Sequence, residues 1–320
     1  MRIRHCVLVA GLCLGLAACP ATSPVKGDAA AAAHAGGIGA LAGEYDNHAE
    51  RWTADGRGVP GPTAPPSIHH WLVNPGGDTT TVLWRVVLPD TTPVQEARWL
   101  LRYEKNGFVP YRPLNADADA QFAAKDGKFR FDPASWAALA PCTLKPAASR
   151  SGTEFAADPS ACSAMLPGIG ATAALLPLRM RLDGDRLRVV TVADQARGAD
   201  AATVSQRVRW FGGWDAINGA GPKALPENSD WHLKRDLRLH SEGGRVALQW
   251  RDGSPSGYTL ELARLTYRES NTEVLRLAVV EDASGKTLAY VWADPDARRI
   301  GMNLGWLQVG LEQDKDAKVR

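Results

Sequence analysis

Leu178-Arg-Met-Arg-Leu-Asp-Gly-Asp-Arg-Leu-Arg-Val-Val-Thr191 reads as two strands and the turn between them. Leu178, Met180 and Leu182 alternate strictly with Arg179, Arg181 and Asp183; Asp183-Gly184-Asp185 turns the chain; Leu187, Val189 and Thr191 resume on the return strand. A period of two gives a sheet one apolar and one charged face, which a helix of the same residues would scramble. The same period extends outward in both directions. Upstream, Val82, Trp84, Val86 and Leu88 form one face, and Trp99, Leu101 and Tyr103 alternate with Arg98, Leu100 and Arg102. Glu104-Lys-Asn-Gly107 then supplies a hairpin turn. Downstream, Val204, Val208 and Trp210 share a face of one strand, with Arg207 and Arg209 on the other.

Short strands with polar turns continue to the C-terminus. Leu237 and Leu239 run into Glu242-Gly-Gly244 and return through Val246, Leu248 and Trp250; Tyr258–Tyr267, Val274–Val280, Thr287–Trp292 and Ile300–Leu311 follow. Only two short helices are expected between strands, one capped by Asn115 and running through Lys125, the other opened by Asp132-Pro133 and running through Leu139. Strands at this spacing, without alternating helices, place the chain in the mostly β class as antiparallel barrel or sandwich.

The N-terminus reads as an address. Met1-Arg-Ile-Arg4 is basic, Val7–Leu16 is apolar but too short to span a bilayer, and Leu16-Ala-Ala-Cys19 has the form of a lipoprotein processing site. Residues 1–18 are therefore expected as signal peptide, with Cys19 as the lipidated residue. The small-residue stretch 19–39 is expected as a flexible tether. A lipid anchor would hold the protein on a membrane without a spanning helix. Pro20, where an Asp would favour retention, points to the outer membrane, and the protein is expected there facing the periplasm. The Gly/Pro-rich stretch Asn218–Asn228 divides what remains into a first β-unit, 40–220, and a C-terminal β-rich region, 221–320.

Charge and cysteine content narrow the partners. There are 37 Lys and Arg against 35 Asp and Glu, and removal of Arg2 and Arg4 with the leader would bring them into balance. Nothing in that balance favours nucleic acid. Cys6 and Cys13 lie in the leader, leaving Cys142 and Cys162, whose simplest fate in an oxidising compartment is a disulfide; a reactive thiol at either is the alternative. Hydrophobic residues make up 45% of the chain, enough for a real core, and 11 tryptophans suit barrel ends or apolar cavities.

Catalytic signatures are scarce. Gly168-Ile-Gly-Ala-Thr-Ala173 fits a relaxed dinucleotide pattern, but Pro167 precedes it and no strand leads in. Gly253-Ser-Pro-Ser-Gly257 has a proline where a nucleophilic serine would stand. His69 and His70 are adjacent on a strand and so face opposite ways, which argues against a shared metal ion; the one facing inward could hydrogen-bond a ligand or transfer a proton. Arg179, Arg181, Arg186, Arg188, Arg207 and Arg209 line the polar faces of neighbouring strands, either as carboxylate receptors or as a solvated outer face partly paired with acids.

Leu41-Ala-Gly-Glu-Tyr-Asp-Asn47 resembles the opening signature of the CpcT/CpeT chromophore lyase family. Further similarities follow in family order: Ile68-His-His-Trp71, Pro110-Tyr-Arg-Pro113, Cys142, Gly152-Thr-Glu-Phe155, Cys162 and Trp210-Phe-Gly-Gly-Trp214. The resemblance covers residues 40–220. It implies an antiparallel, calycin-like β-barrel with a cavity for a tetrapyrrole such as a bilin or a similar apolar small molecule; the strands read beyond residue 220 make a further antiparallel β-region after it. By the same resemblance Glu44, Tyr45, Asp46 and Asn47 lie at the entrance, with His69 or His70 inside. Tyr111 would stack on the ligand or donate a proton, and Arg112 would receive its carboxylate, with Glu44 or Asp46 as its acidic partner if it is buried. Lyase chemistry on a client cysteine is the family's activity. The leader and the extra C-terminal region depart from the family; beside the ligand-binding expectation stands the alternative of a non-catalytic envelope protein that binds lipid or a protein partner, or is structural.

Overall fold

The computed structural model describes residues 40–315 except 57–63, 76–79, 106, 124–128, 148–152, 199–200, 226, 228 and 268–269. The leader, the tether, Cys19, Lys125 and Gly152 lie outside the described residues.

The fold is mostly β, and every strand pair in it is antiparallel. The first unit contains strands β1 (Gly43–Asp46), β2 (His69–Val73), β3 (Thr81–Leu88), β4 (Gln95–Glu104), β5 (Gly107–Pro113), β6 (Trp136–Ala138), β7 (Lys145–Ala147), β8 (Thr153–Ala156), β9 (Pro177–Asp183), β10 (Arg186–Thr191) and β11 (Thr203–Arg207). They form a curled eleven-stranded sheet in the order β6-β5-β4-β3-β2-β1-β11-β10-β9-β8-β7. Thus β1 lies at mid-sheet, between β2 and β11. The curl brings the two ends together at one bridge, where Phe108 and Leu144 exchange both backbone hydrogen bonds. The tight turns fall where the sequence places them. Glu104 pairs with Gly107 across Lys105 at φ 53°, and Asp183 pairs with Arg186 across Gly184 at φ 57°.

Four short helices decorate this sheet: α1 (His48–Gly56), α2 (Ala116–Ala123), α3 (Pro159–Ser163) and α4 (Val192–Arg197). Asn115 caps α2 by accepting from the Ala118 N–H, as its sequence position predicts. The helix expected from Asp132 does not form. Asp132 accepts instead from the Ala134 N–H and the Ser135 hydroxyl in a turn, and Trp136–Ala138 leaves as β6. An Asx turn satisfies the same acceptor as an N-cap, and pairing of β6 with β5 wins over a helix this short.

The concave face of the sheet is packed with side chains. Tyr45, His70, Leu72, Trp84, Val86, Trp99, Leu101, Phe108 and Phe155 are all buried there. Cys142 and Cys162 lie at disulfide-bonding distance beside them, Cα atoms 4.5 Å apart. On the convex side, Leu83, Leu100, Val109, Tyr111 and Trp136 form a smaller cluster with Ala118 of α2.

The strand expected across residues 204–210 is two strands in different sheets. β11 ends at Arg207, and Trp210 opens β12 (Trp210–Asn218), which pairs with C-terminal strands. Those are β13 (Trp231–His240), β14 (Glu242–Gln249), β15 (Pro255–Tyr267), β16 (Thr272–Glu281), β17 (Thr287–Ala293), β18 (Arg299–Asn303) and β19 (Leu307–Gln313). They build two four-stranded sheets, β13-β12-β19-β18 and β14-β15-β16-β17. The inner faces meet in one core of Phe211, Ile217, Leu239, Leu262, Leu277 and Val309, among others, which makes a sandwich. Glu242-Gly-Gly244 is accordingly not a hairpin turn. It carries the chain from one sheet to the other, and Gly243, at φ 76°, has the His48 ring where a Cβ would sit.

Candidate functional site

β1 explains its own sequence. Gly43 is small because Arg207 crosses it: a Cβ there would come within 2.2 Å of the guanidinium. Arg207 then hydrogen-bonds the Ala40 and Ala42 carbonyls and Asp185, and its guanidinium stacks 4.8 Å from the Tyr45 ring. Tyr45 points into the core and donates to the Leu41 carbonyl, 3.1 Å away; burial pushes its phenol up to about 12. Asn47 pins the chain ahead of β2, donating to the Pro66 carbonyl and accepting from the Ile68 N–H. Tyr45 and Asn47 are thus held by the fold's own backbone.

Glu44 and Asp46 alternate with Tyr45 and project from the convex face. Asp46 stands opposite His69 in register, and Glu44 opposite Trp71. His69 lies between the two carboxylates, Nε2 at 2.9 Å from Glu44 and Nδ1 at 2.9 Å from Asp46. Burial alone would lower its pKa, but those two hydrogen bonds and the carboxylate charges hold it above the ordinary histidine range. Burial likewise acts to raise Glu44, yet bonds from His69 and Trp210 keep it below the usual carboxylate range.

The C-terminal sandwich covers this triad. Trp210 donates its indole N–H to Glu44 at 2.7 Å, and the His240 ring packs 5.1 Å from Trp210 and 6.4 Å from His69. Burial pushes His240 below its ordinary range. Behind it, Glu242 is buried with Arg264 Nε at 3.3 Å, within ion-pair distance but without hydrogen-bond alignment, and burial pushes its carboxyl up to about 8. Glu44, Asp46 and His69 therefore join two units; they do not ring the mouth of a barrel.

His70 takes the inward position. It accepts from the Trp84 indole N–H at 3.2 Å through Nδ1, and Nε2 finds no partner among the described residues. Full burial pushes its pKa down to about 3, so the ring is neutral. It sits in a filled core, and the expected ligand space on this face is taken by Trp84, Trp99 and their neighbours. Tyr111 lies on the convex side under α2, with its hydroxyl donated to Glu104 and its pKa pushed to about 12 by burial and that carboxylate. Arg112, next in the strand, faces the other way. Glu44 and Asp46 project from the convex face of β1, four strands away from β5, and pair with His69 instead. Several of the ladder arginines pair with acids instead of converging on a receptor site: Arg179 with Glu154, Arg181 with Asp183, Arg186 with Glu273 and Arg207 with Asp185.

A second arrangement lies on the outer face of the sheet that contains β12. In register, Trp214 sits beside Gly310, and Gly310 beside Gly301; one row on come Ala216, Gln308 and Asn303. A Cβ at Gly310 would lie 2.7 Å from the Trp214 indole nitrogen, so the ring rests on the glycine. Opposite Trp214, β13 carries a bulge in which Arg235 and Asp236 face the single residue of β12. Trp214, Ala216, Trp231, Leu233, Arg235 and Gln308 line a shallow groove of about 400 Å³ there. Trp214 is 38% exposed and Leu233 45%. The sequence marks Trp214 only within the Trp210–Trp214 motif. It hides Trp231 and Leu233, because they share the period of core residues Leu237 and Leu239, and only the bulge between them turns the first pair to the outer face.

In comparisons with known proteins, no family model and no curated protein matches this chain.

Proposed function

We propose that this chain is a lipid-anchored protein of the cell envelope that works by binding another molecule, with the outer face of the C-terminal sandwich as its binding surface. One contrast carries the reading. The large sheet spends its aromatic residues on its own core, with Tyr45, Trp84, Trp99 and Phe108 wholly or nearly buried, whereas Trp214, resting on Gly310, and Leu233 stay exposed. Rigid aromatic groups left at a surface groove are typical of recognition sites. His69, the best-placed proton carrier, has both ring nitrogens engaged by carboxylates under a covering sheet, an arrangement that suits a joint between units better than turnover. The anchor is read from Leu16-Ala-Ala-Cys19 and the outer membrane from Pro20 after it; in this proposal the protein faces the periplasm.

The test is co-sedimentation of the purified protein with separated envelope fractions: outer membrane, cell-wall polymer and soluble periplasm bound to resin. Wild type should be retained by one fraction, and Trp214→Ala combined with Leu233→Ser should release it. Retention by none, or equal retention of both proteins, ends the reading.

A further inference from the structure

We infer that the groove beside Trp214, lined also by Trp231, Leu233, Arg235 and Gln308, is a site for an uncharged carbohydrate chain, with Trp214 as the stacking platform. This rests on the binding role proposed above and names its ligand class.

Three features of the face select that class. The first is shape. With no side chain at Gly310 or Gly301, the Trp214 ring lies flat on the sheet and beside it runs a shallow trough, open to a flat ring approaching from solvent. A pyranose has such a face, an apolar patch of C–H groups that packs against an aromatic plane.

The second is the polar rim. A hydroxyl both donates and accepts, so a sugar needs both kinds of partner around its edge. Gln308 offers both in the row next to Trp214; Asn303 beside it offers its amide N–H groups, its oxygen accepting from the Gly305 N–H, and the bulge presents Arg235 as donor beside Asp236 as acceptor. An acyl chain would leave all of these groups desolvated without partners, at a cost for each.

The third is charge. Along this face cations come with anions: Arg299 pairs with Glu312, Arg238 with Asp314, and Arg235 neighbours Asp236. A phosphate backbone needs a surplus of positive charge, and aromatic groups alone would not supply it. The balance fits a neutral ligand. The face is also long enough for a chain. Trp231 pairs with Asn218, four residues along β12 from Trp214, which is about 13 Å at strand rise. Two or three linked sugar rings would reach from one indole to the other.

Calorimetric titration of the full folded chain with chitotetraose, and separately with cellotetraose, tests this, with an oligothymidylate and phosphatidylglycerol vesicles as the competing classes. One neutral tetrasaccharide should bind saturably. Trp214→Ala should weaken it about tenfold or more, and Gln308→Ala, a half-exposed surface change, by a smaller factor. Trp231→Ala provides an independent platform variant should Trp214→Ala fold poorly. Saccharide binding that neither Trp substitution weakens overturns the inference, as does preference for the oligonucleotide or the vesicles. If no saccharide binds while an envelope fraction still retains the protein through Trp214, the carbohydrate assignment falls and the binding role stands. If that retention is also lost, both fall.

Discussion

Trp210 of the C-terminal sandwich donates its indole N–H to Glu44 of the curled sheet at 2.7 Å, so the two units share a part-buried hydrogen bond to a charged group. Replacing Trp210 by Phe keeps most of the ring and removes the donor. Glu44 Oε2 would then be left without it, at a cost of about 1–3 kcal/mol. Urea unfolding followed by circular dichroism should show that loss. A Trp210→Phe protein as stable as wild type would mean the bond contributes nothing to the joint.

The same joint sets a pH dependence. His69 is held above its ordinary pKa, so its contribution is complete below about pH 6.5, its reference value, and is lost as pH rises through the folded pKa. Glu44 is held below its ordinary range, so its contribution is present above about pH 4.5 and is lost as pH falls through the folded pKa. The joint is thus strongest in mildly acidic solution. Thermal unfolding across pH should place a maximum there, and His69→Gln should flatten the fall on the alkaline side. An unchanged alkaline slope in His69→Gln would assign that slope to other groups.

Glu242 works in the opposite direction. Its carboxyl, raised to about 8 by burial, keeps a proton in the folded state that the unfolded chain releases near pH 4.5. Between those values the folded state binds more protons, so stability falls as pH rises. Glu242→Gln mimics the protonated form and should gain stability relative to wild type at pH 8, with little difference at pH 5. Equal curves at both pH values would place the proton elsewhere.

Cys142 and Cys162, separated by 20 residues, should resist thiol labelling in the denatured, unreduced protein and accept it after reduction. Closing a loop of that length contributes on the order of 3 kcal/mol in the chain-entropy model, so reduction should lower the urea midpoint accordingly. Two labelled thiols before reduction would refute the bond.

A bilin offers the most direct check on the first unit. With Tyr45, Trp84 and Trp99 filling the concave face, addition of biliverdin to the folded chain should give no saturable change in visible absorbance. A saturable change weakened by Arg112→Ala would revive the expected cavity and require the core to open.

Much of the fold could be read from the chain because its strands bury one face and solvate the other. Leu178, Met180 and Leu187 show this plainly, and so do the turns at Lys105 and Gly184. Pairing partners were less legible. Leu239 and Val246 alternate as a hairpin would, but Gly243 and Gly244 allow the chain to pass between sheets, and nothing local distinguishes the two outcomes. The site failed for a related reason. Glu44, Asp46 and His69 were recognisable as polar groups on one strand pair, but their surroundings come from Trp210 and His240, more than a hundred and forty residues away, which no period or motif connects to them.

The position of β1 has a mechanical consequence. Tension on the chain upstream of Ala40, as from a membrane anchor, would enter the molecule along this strand. Because β1 has a hydrogen-bonded neighbour on each side, and Arg207 clasps the carbonyls just before it, such a pull loads both ladders in shear at once. An edge strand under the same force would have one ladder to share it. A pull entering at β1 is therefore resisted by two ladders and the Arg207 clasp together.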